Sequence, residues 1–251
     1  MRPVLLALPL IILPVLAGQP MAYKDGATQL AGYLARPAQL KGMAPGVVII
    51  HQWMGVTDHE KRTADELAKL GYTALAADIY GEGVRPANAE EAAVLAGAYK
   101  NDRNLYQRRI RVALEVLKAQ KGVDPERLAV IGFCFGGTGA LEAARGGLPV
   151  KGVVSFHGGL DIPANRPVQP ITAKVLVCHG ADDPFTSKDV PGFQDEMRKA
   201  KADFIFISYA GAVHAFTQKE AGNDPSKGAA YQEAAARRSW QHMKDFFKEI
   251  F

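Results

Sequence analysis

The sequence predicts a single α/β domain, a mostly parallel twisted sheet with helices packed on both faces. Three observations carry that expectation. Continuous apolar runs such as Gly46–His51 recur along the chain, as strands buried on both sides require. Segments of helical periodicity stand between them, and this alternation marks a parallel sheet joined by helices. The 25 glycines in 251 residues suit the tight strand-to-helix turns of such a fold. With 48% hydrophobic and 22% charged residues, the composition excludes a disordered, collagen-like or multi-pass membrane chain.

The N-terminus is read separately. Met1-Arg2-Pro3 leads into an uncharged apolar run from Val4 to Ala17. That run is too short for a bilayer core but fits the apolar region of a secretory signal. Val15 and Ala17 place small residues at −3 and −1, so cleavage is expected after Ala17. The alternative end is Ala22, which would leave Pro20 at −3. Pro9 and Pro14 oppose a stable spanning helix. Residues 1–17 are therefore read as a signal and residues 22–251 as the domain of an exported protein, periplasmic or secreted. No stable membrane span is expected after processing; an uncleaved anchor or a buried first element is the alternative.

In the domain, Tyr23 and Leu30–Leu34 flank Asp25-Gly26, a hairpin signal. After the Gly46–His51 strand, Thr57-Asp58-His59-Glu60 reads as a capping box opening a helix that closes at Gly71. Tyr72–Asp78 is the next strand. Tyr106, Ile110, Ala113, Leu114 and Leu117 form a helical stripe within Asn101–Gln120. Leu128–Phe133 is a strand and Gly136–Arg145 a helix. Val150–Phe156, Ala173–Cys178 and Phe204–Tyr209 read as three further buried strands, with a helix at Phe193, Met197 and Ala200 between the last two. Trp240, Met243, Phe247 and Ile250 give a C-terminal helix one apolar face.

The net charge is +4 with no long basic run, so nucleic acid is not an expected partner. Two cysteines make no disulfide framework. A bond between Cys134 and Cys178 is conceivable, but Cys178 lies inside an apolar strand and reads better as a buried small hydrophobe. No zinc-type spacing and no phosphate-cradling glycine loop is present, so no cofactor or metal is expected.

One motif carries chemistry. The Leu128–Phe133 strand runs into Gly132-Phe133-Cys134-Phe135-Gly136-Gly137 and then a helix, the G-x-Nuc-x-G nucleophile elbow with cysteine as nucleophile. Side chains at the flanking glycines would clash where strand and helix backbones meet. The helix N-terminus beside Cys134 favours a thiolate. An acid and a histidine should follow in that order. His179-Gly180-Ala181-Asp182-Asp183-Pro184 supplies the acid at a strand's carboxyl end, its spacing favouring Asp183 over Asp182. Of six histidines, only His214 lies on the loop that follows the last strand. His51, His157 and His179 end strands on the same edge, while His59 and His242 read as surface or packing residues.

With these residues the chain resembles the dienelactone hydrolase family of the α/β-hydrolase fold. Tyr23-Lys24-Asp25-Gly26, His51-Gln52-Trp53-Met54-Gly55, Ala77-Asp78-Ile79-Tyr80-Gly81 and Val213-His214-Ala215-Phe216 complete the likeness. The resemblance implies a domain without a cap, a Cys134–His214–Asp183 triad and a small ester or lactone as substrate. The expected oxyanion donors are the backbone N–H groups of Phe135 and Trp53. Where the family carries a glutamate that controls the cysteine's ionisation, this chain has Gln52. Where it carries two arginines for the substrate carboxylate, this chain has Glu82 and Gln218; Arg85 and Lys219 lie near in sequence. Gln52, Tyr80, Glu82, Arg85, His157 and Gln218 are the candidate pocket residues. A true carboxymethylenebutenolidase and a non-catalytic small-molecule-binding protein are the alternatives, in a monomer or small homo-oligomer.

Overall fold

The computed structural model describes residues 18–40, 42–163 and 166–251. The segment read as a signal, residues 1–17, lies outside the described residues.

β1 (Gln19–Asp25) and β2 (Thr28–Ala35) form the hairpin expected at Asp25-Gly26, with Gly26 at φ 57°. β1 takes in Gln19–Ala22, paired with Ala31–Leu34, so the sheet starts ahead of residue 22. Next come β3 (Ala44–Ile50), α1 (Asp58–Lys69) and β4 (Thr73–Ala77). The α1 capping box is present: the Glu60 carboxylate accepts the Thr57 N–H at 2.8 Å. α2 (Ala89–Asn101), α3 (Arg103–Lys118), β5 (Val123–Phe133) and α4 (Phe135–Arg145) follow, then β6 (Gly152–Phe156) and β7 (Lys174–Gly180). α5 (Val190–Lys199), β8 (Phe204–Tyr209) and α6 (Glu233–Ile250) close the chain.

The eight strands make one sheet in the order β1-β2-β4-β3-β5-β6-β7-β8. β1/β2 and β2/β4 are antiparallel; every pair from β4 to β8 is parallel. Successive strand side chains point to opposite faces, and β3 uses both. Val47 and Ile49 join a core with Leu67 of α1 and Met243 and Phe247 of α6. Val48 and Ile50 join another with Tyr106 and Ile110 of α3, Leu141 of α4 and Phe193 of α5. Burial on both faces is why these strands carry no polar alternation.

Two elements depart from the sequence reading. α2 is not foreseen, because apolar residues fill nearly every position from Ala92 to Tyr99 and blur the helical period: Ala92, Ala96 and Tyr99 share the buried face while Val94 is 74% exposed. The Asn88 side chain caps it by accepting the Glu91 N–H, and α3 starts two residues later than expected behind its own cap, Asp102. β8 is not a buried strand. It pairs only with β7 at the sheet edge, and Ile205 stands 42% exposed.

Candidate active site

The carboxyl ends of the central strands bring the elbow, the acid and the histidine together, as expected for the crevice of such sheets. Cys134 sits between β5 and α4 at φ 53°, ψ −114°, a strained conformation for a residue with a Cβ. The turn closes because its flanks are glycine. A Cβ at Gly132 would lie 1.9 Å from the Gly136 carbonyl oxygen, and one at Gly136 would lie 2.1 Å from that of Ile50.

His214 follows β8 and reaches back across the cleft. Its Nε2 lies 3.1 Å from Cys134 Sγ, and its Nδ1 lies 2.8 Å from Asp183 Oδ2. Asp183 is fully buried and its Oδ1 accepts the Phe185 N–H at 2.9 Å. Asp182 points to solvent, so only one of the two aspartates meets the histidine.

The electrostatics favour a charged pair. Burial alone would raise the Cys134 thiol, but the His214 charge and hydrogen bond, helped by Lys100 and the Phe135 N–H, bring it below its ordinary value. Burial would likewise discharge His214, yet the Cys134 thiolate and the Asp183 carboxylate hold its imidazolium well above the usual range. Asp183 is opposed by burial and held low by its bond to His214. Both shifts favour a thiolate–imidazolium pair with a buried carboxylate behind it.

Cys134 and His214 open onto a cavity of about 600 Å³ that Gln52, Trp53, Phe185 and Gln218 also line. Trp53 is fixed from below, its carbonyl accepting the Tyr80 hydroxyl at 3.0 Å. The Trp53 N–H has no acceptor among the described residues, and the Phe135 N–H opens α4 beside the thiol.

The remaining pocket candidates divide. Gln218 lines the cavity at 5% exposure, its side-chain nitrogen without a partner among the described residues. Four candidates do not line it. Tyr80 lies underneath, packed on His51, Tyr99 and Phe135, and His157 is fully buried behind Cys134. Glu82 faces solvent. Arg85 folds back on its own loop, donating to the Val84 and Gly81 carbonyls at 2.6 and 3.2 Å. Lys219 also misses the cavity, standing 6.0 Å over the Tyr231 ring.

The cation that does line it is Lys100 of α2, which the sequence reading passed over with its helix. Its ammonium lies 3.5 Å from where a Cβ on Gly159 would sit. Gln52 puts no carboxylate beside the thiol. Buried Glu60 accepts the Gln52 N–H at 3.3 Å, but it is committed to the α1 cap.

Both cysteines are free. Cys178 is buried in β7, its thiol pushed up to about 12 by desolvation. Among the described residues no cluster of His, Cys, Asp and Glu is placed to hold a metal. No described helix is long and apolar enough to cross a membrane.

A doubly covered, mostly parallel sheet with a strained cysteine at a glycine-flanked β5–α4 elbow defines an α/β-hydrolase fold. Within that class the chain belongs to the dienelactone hydrolase family, whose model matches residues 30–251, and it is a lactone or ester hydrolase. It is similar to a probable 2-oxo-3-(5-oxofuran-2-ylidene)propanoate lactonase of Bradyrhizobium, 33% identical over 87% of this chain and 88% of that protein. A putative carboxymethylenebutenolidase of Yersinia pestis is 28% identical over 88% of this chain and 84% of its own length. Among solved structures, a dienelactone hydrolase-like promiscuous phosphotriesterase from metagenomic libraries superposes with a TM-score of 0.88. It is 40% identical, over 93% of this chain and 98% of that one.

Proposed function

We propose that this protein hydrolyses small esters or lactones through a thioester on Cys134. The observation that carries the reading is the continuous contact from thiol to imidazole to buried carboxylate, 3.1 and 2.8 Å. The Cys134 thiolate attacks the substrate carbonyl carbon, and the oxyanion is held by the Phe135 and Trp53 N–H groups. As the tetrahedral intermediate collapses, the C–O bond breaks and the His214 imidazolium protonates the leaving alkoxide. Neutral His214 then takes a proton from water, which attacks the thioester; the acid departs and the thiolate returns to its pair with the reprotonated imidazole. Asp183 keeps the Nδ1 proton in place and stabilises each imidazolium. With Gln52 in place of a carboxylate, ionisation of Cys134 falls to His214, the helix terminus and Lys100.

The substrate class is a small ester or lactone, neutral ones included, since neither Glu82 nor Gln218 carries a positive charge. A second reading, turnover of dienelactone to maleylacetate, draws on Lys100 as a cation in the cavity and on the carboxymethylenebutenolidase-named relatives. We read residues 1–17 as a secretory signal and the working site as outside the cytoplasm.

Steady-state hydrolysis of dienelactone beside a neutral aryl acetate tests both readings, with Cys134→Ala as control. Aryl acetate turnover with poor dienelactone turnover supports the first; rapid dienelactone turnover supports the second. Unchanged turnover in Cys134→Ala overturns the mechanism, and no turnover of either substrate leaves a binding role as the better account.

A further inference from the structure

We infer that His157 is a positioning residue of this site, joining the nucleophile's own backbone to the loop that carries the base. The inference rests on the reading of Cys134 as the nucleophile.

His157 follows β6 fully buried at φ 40°, a left-handed conformation that strains a side chain with a Cβ. Its own N–H donates to the Cys178 carbonyl at 2.8 Å. So held, the ring bridges two segments. Nδ1 accepts the Cys134 N–H at 3.2 Å, and Nε2 lies 2.8 Å from Thr217 Oγ1, three residues beyond His214. With Nδ1 accepting, the single ring proton resides on Nε2 and is donated to the Thr217 hydroxyl. The Cys134 N–H also reaches the Phe156 carbonyl at 3.0 Å, so two acceptors hold the strained elbow.

The ring stands edge-on to Phe216 at 5.1 Å and to His214 at 5.3 Å between centroids. The titratable groups facing it are His214 and His59; burial first, then those two histidines, keep His157 neutral. Neutrality is what the bridge requires. A proton on Nδ1 would remove the acceptor for the Cys134 N–H and place a second cation beside the His214 imidazolium.

Two variants separate positioning from mere packing. His157→Phe keeps a buried ring and removes both bonds; Thr217→Val keeps the shape and removes only the outer one. Fold is followed by circular dichroism, kcat and KM on an aryl acetate, and Cys134 by its alkylation rate against pH. For His157→Phe we expect kcat to fall about tenfold or more with KM within about twofold, since an ångström of misplacement costs on the order of 10²-fold. The thiolate titration should move up towards that of a free cysteine. Thr217→Val should move both in the same direction by less. If either variant folds with wild-type kcat and an unchanged alkylation profile, the inference is overturned; should His157→Phe fail to fold, Thr217→Val decides alone. Turnover persisting in Cys134→Ala would instead defeat the proposed function, and the alkylation profile would still report whether His157 governs the thiol.

Discussion

Two sets of residues line the cavity region and are built differently. The proposed triad, Cys134, Asp183 and His214, hangs from the carboxyl ends of β5, β7 and β8, with both faces of β5 and β7 buried in core. The other lining side chains come from α2, which presents Lys100, and from loops, which present Phe185, edge-on to the His214 ring at 5.7 Å, and Gln218. Sheet register dictates positions in the first set, so substitutions there should act through geometry. In the second set side chains act by charge and shape, and effects should be modest and substrate-dependent.

The sharpest break in that comparison is chemical. Cys134→Ala and His214→Ala should each lower kcat/KM by roughly 10⁴-fold or more, as single members of a triad do, measured on an aryl acetate. Asp183→Asn should cost on the order of 10⁴-fold through the wrong imidazole tautomer. The solvent-facing Asp182→Asn should stay within about twofold, so equal losses at the two positions would dissolve the distinction between them.

A scaffold substitution should be nearly as severe by another route. Gly136→Ala drives a methyl to 2.1 Å from the Ile50 carbonyl oxygen. We expect about 3 kcal/mol or more of lost stability in urea unfolding, with the elbow's activity lost alongside.

Effects at the second set should be smaller. Lys100→Met should raise KM for a carboxylate-bearing ester by about five- to tenfold while leaving a neutral aryl acetate within about twofold, the range of a partly exposed charge contact. Added salt should shrink the difference. Glu82→Ala and Lys219→Ala, outside the cavity, should change neither substrate by more than about twofold.

The same division explains what the sequence disclosed. The elbow was legible because close backbone approach admits only glycine at Gly132 and Gly136, and such a demand leaves a fixed spacing. Asp183 and His214 follow from chain order and strand ends. The Gly180-x-x-Asp183 spacing favours Asp183 over Asp182, and the structure buries Asp183 and leaves Asp182 in solvent, one peptide step apart. The pocket was much less legible. Arg85 and Lys219 are near in sequence but are held elsewhere, by the Gly81 and Val84 carbonyls and over Tyr231. Lys100 was invisible because the near-continuous apolar run from Ala92 to Tyr99 masks the buried face of α2, and a missed helix hides every residue it presents. The Cys134–His157–Thr217 chain joins residues 23 and 60 apart in sequence, with no local pattern to mark it.

In the proposed mechanism Cys134 stands as a thiolate paired with the His214 imidazolium, without a carboxylate at position 52. Its direct test is the rate of Cys134 alkylation by iodoacetamide from acid to alkaline pH in the native protein. The thiol is held below its ordinary value, so the thiolate is retained as pH falls past the free-cysteine range and is lost only when pH drops through the depressed value. The alkylation rate should therefore hold a plateau that extends below pH of about 8.5, and His214→Ala should push its lower edge upward. A single titration at about 8.5, unmoved by His214→Ala, would contradict it.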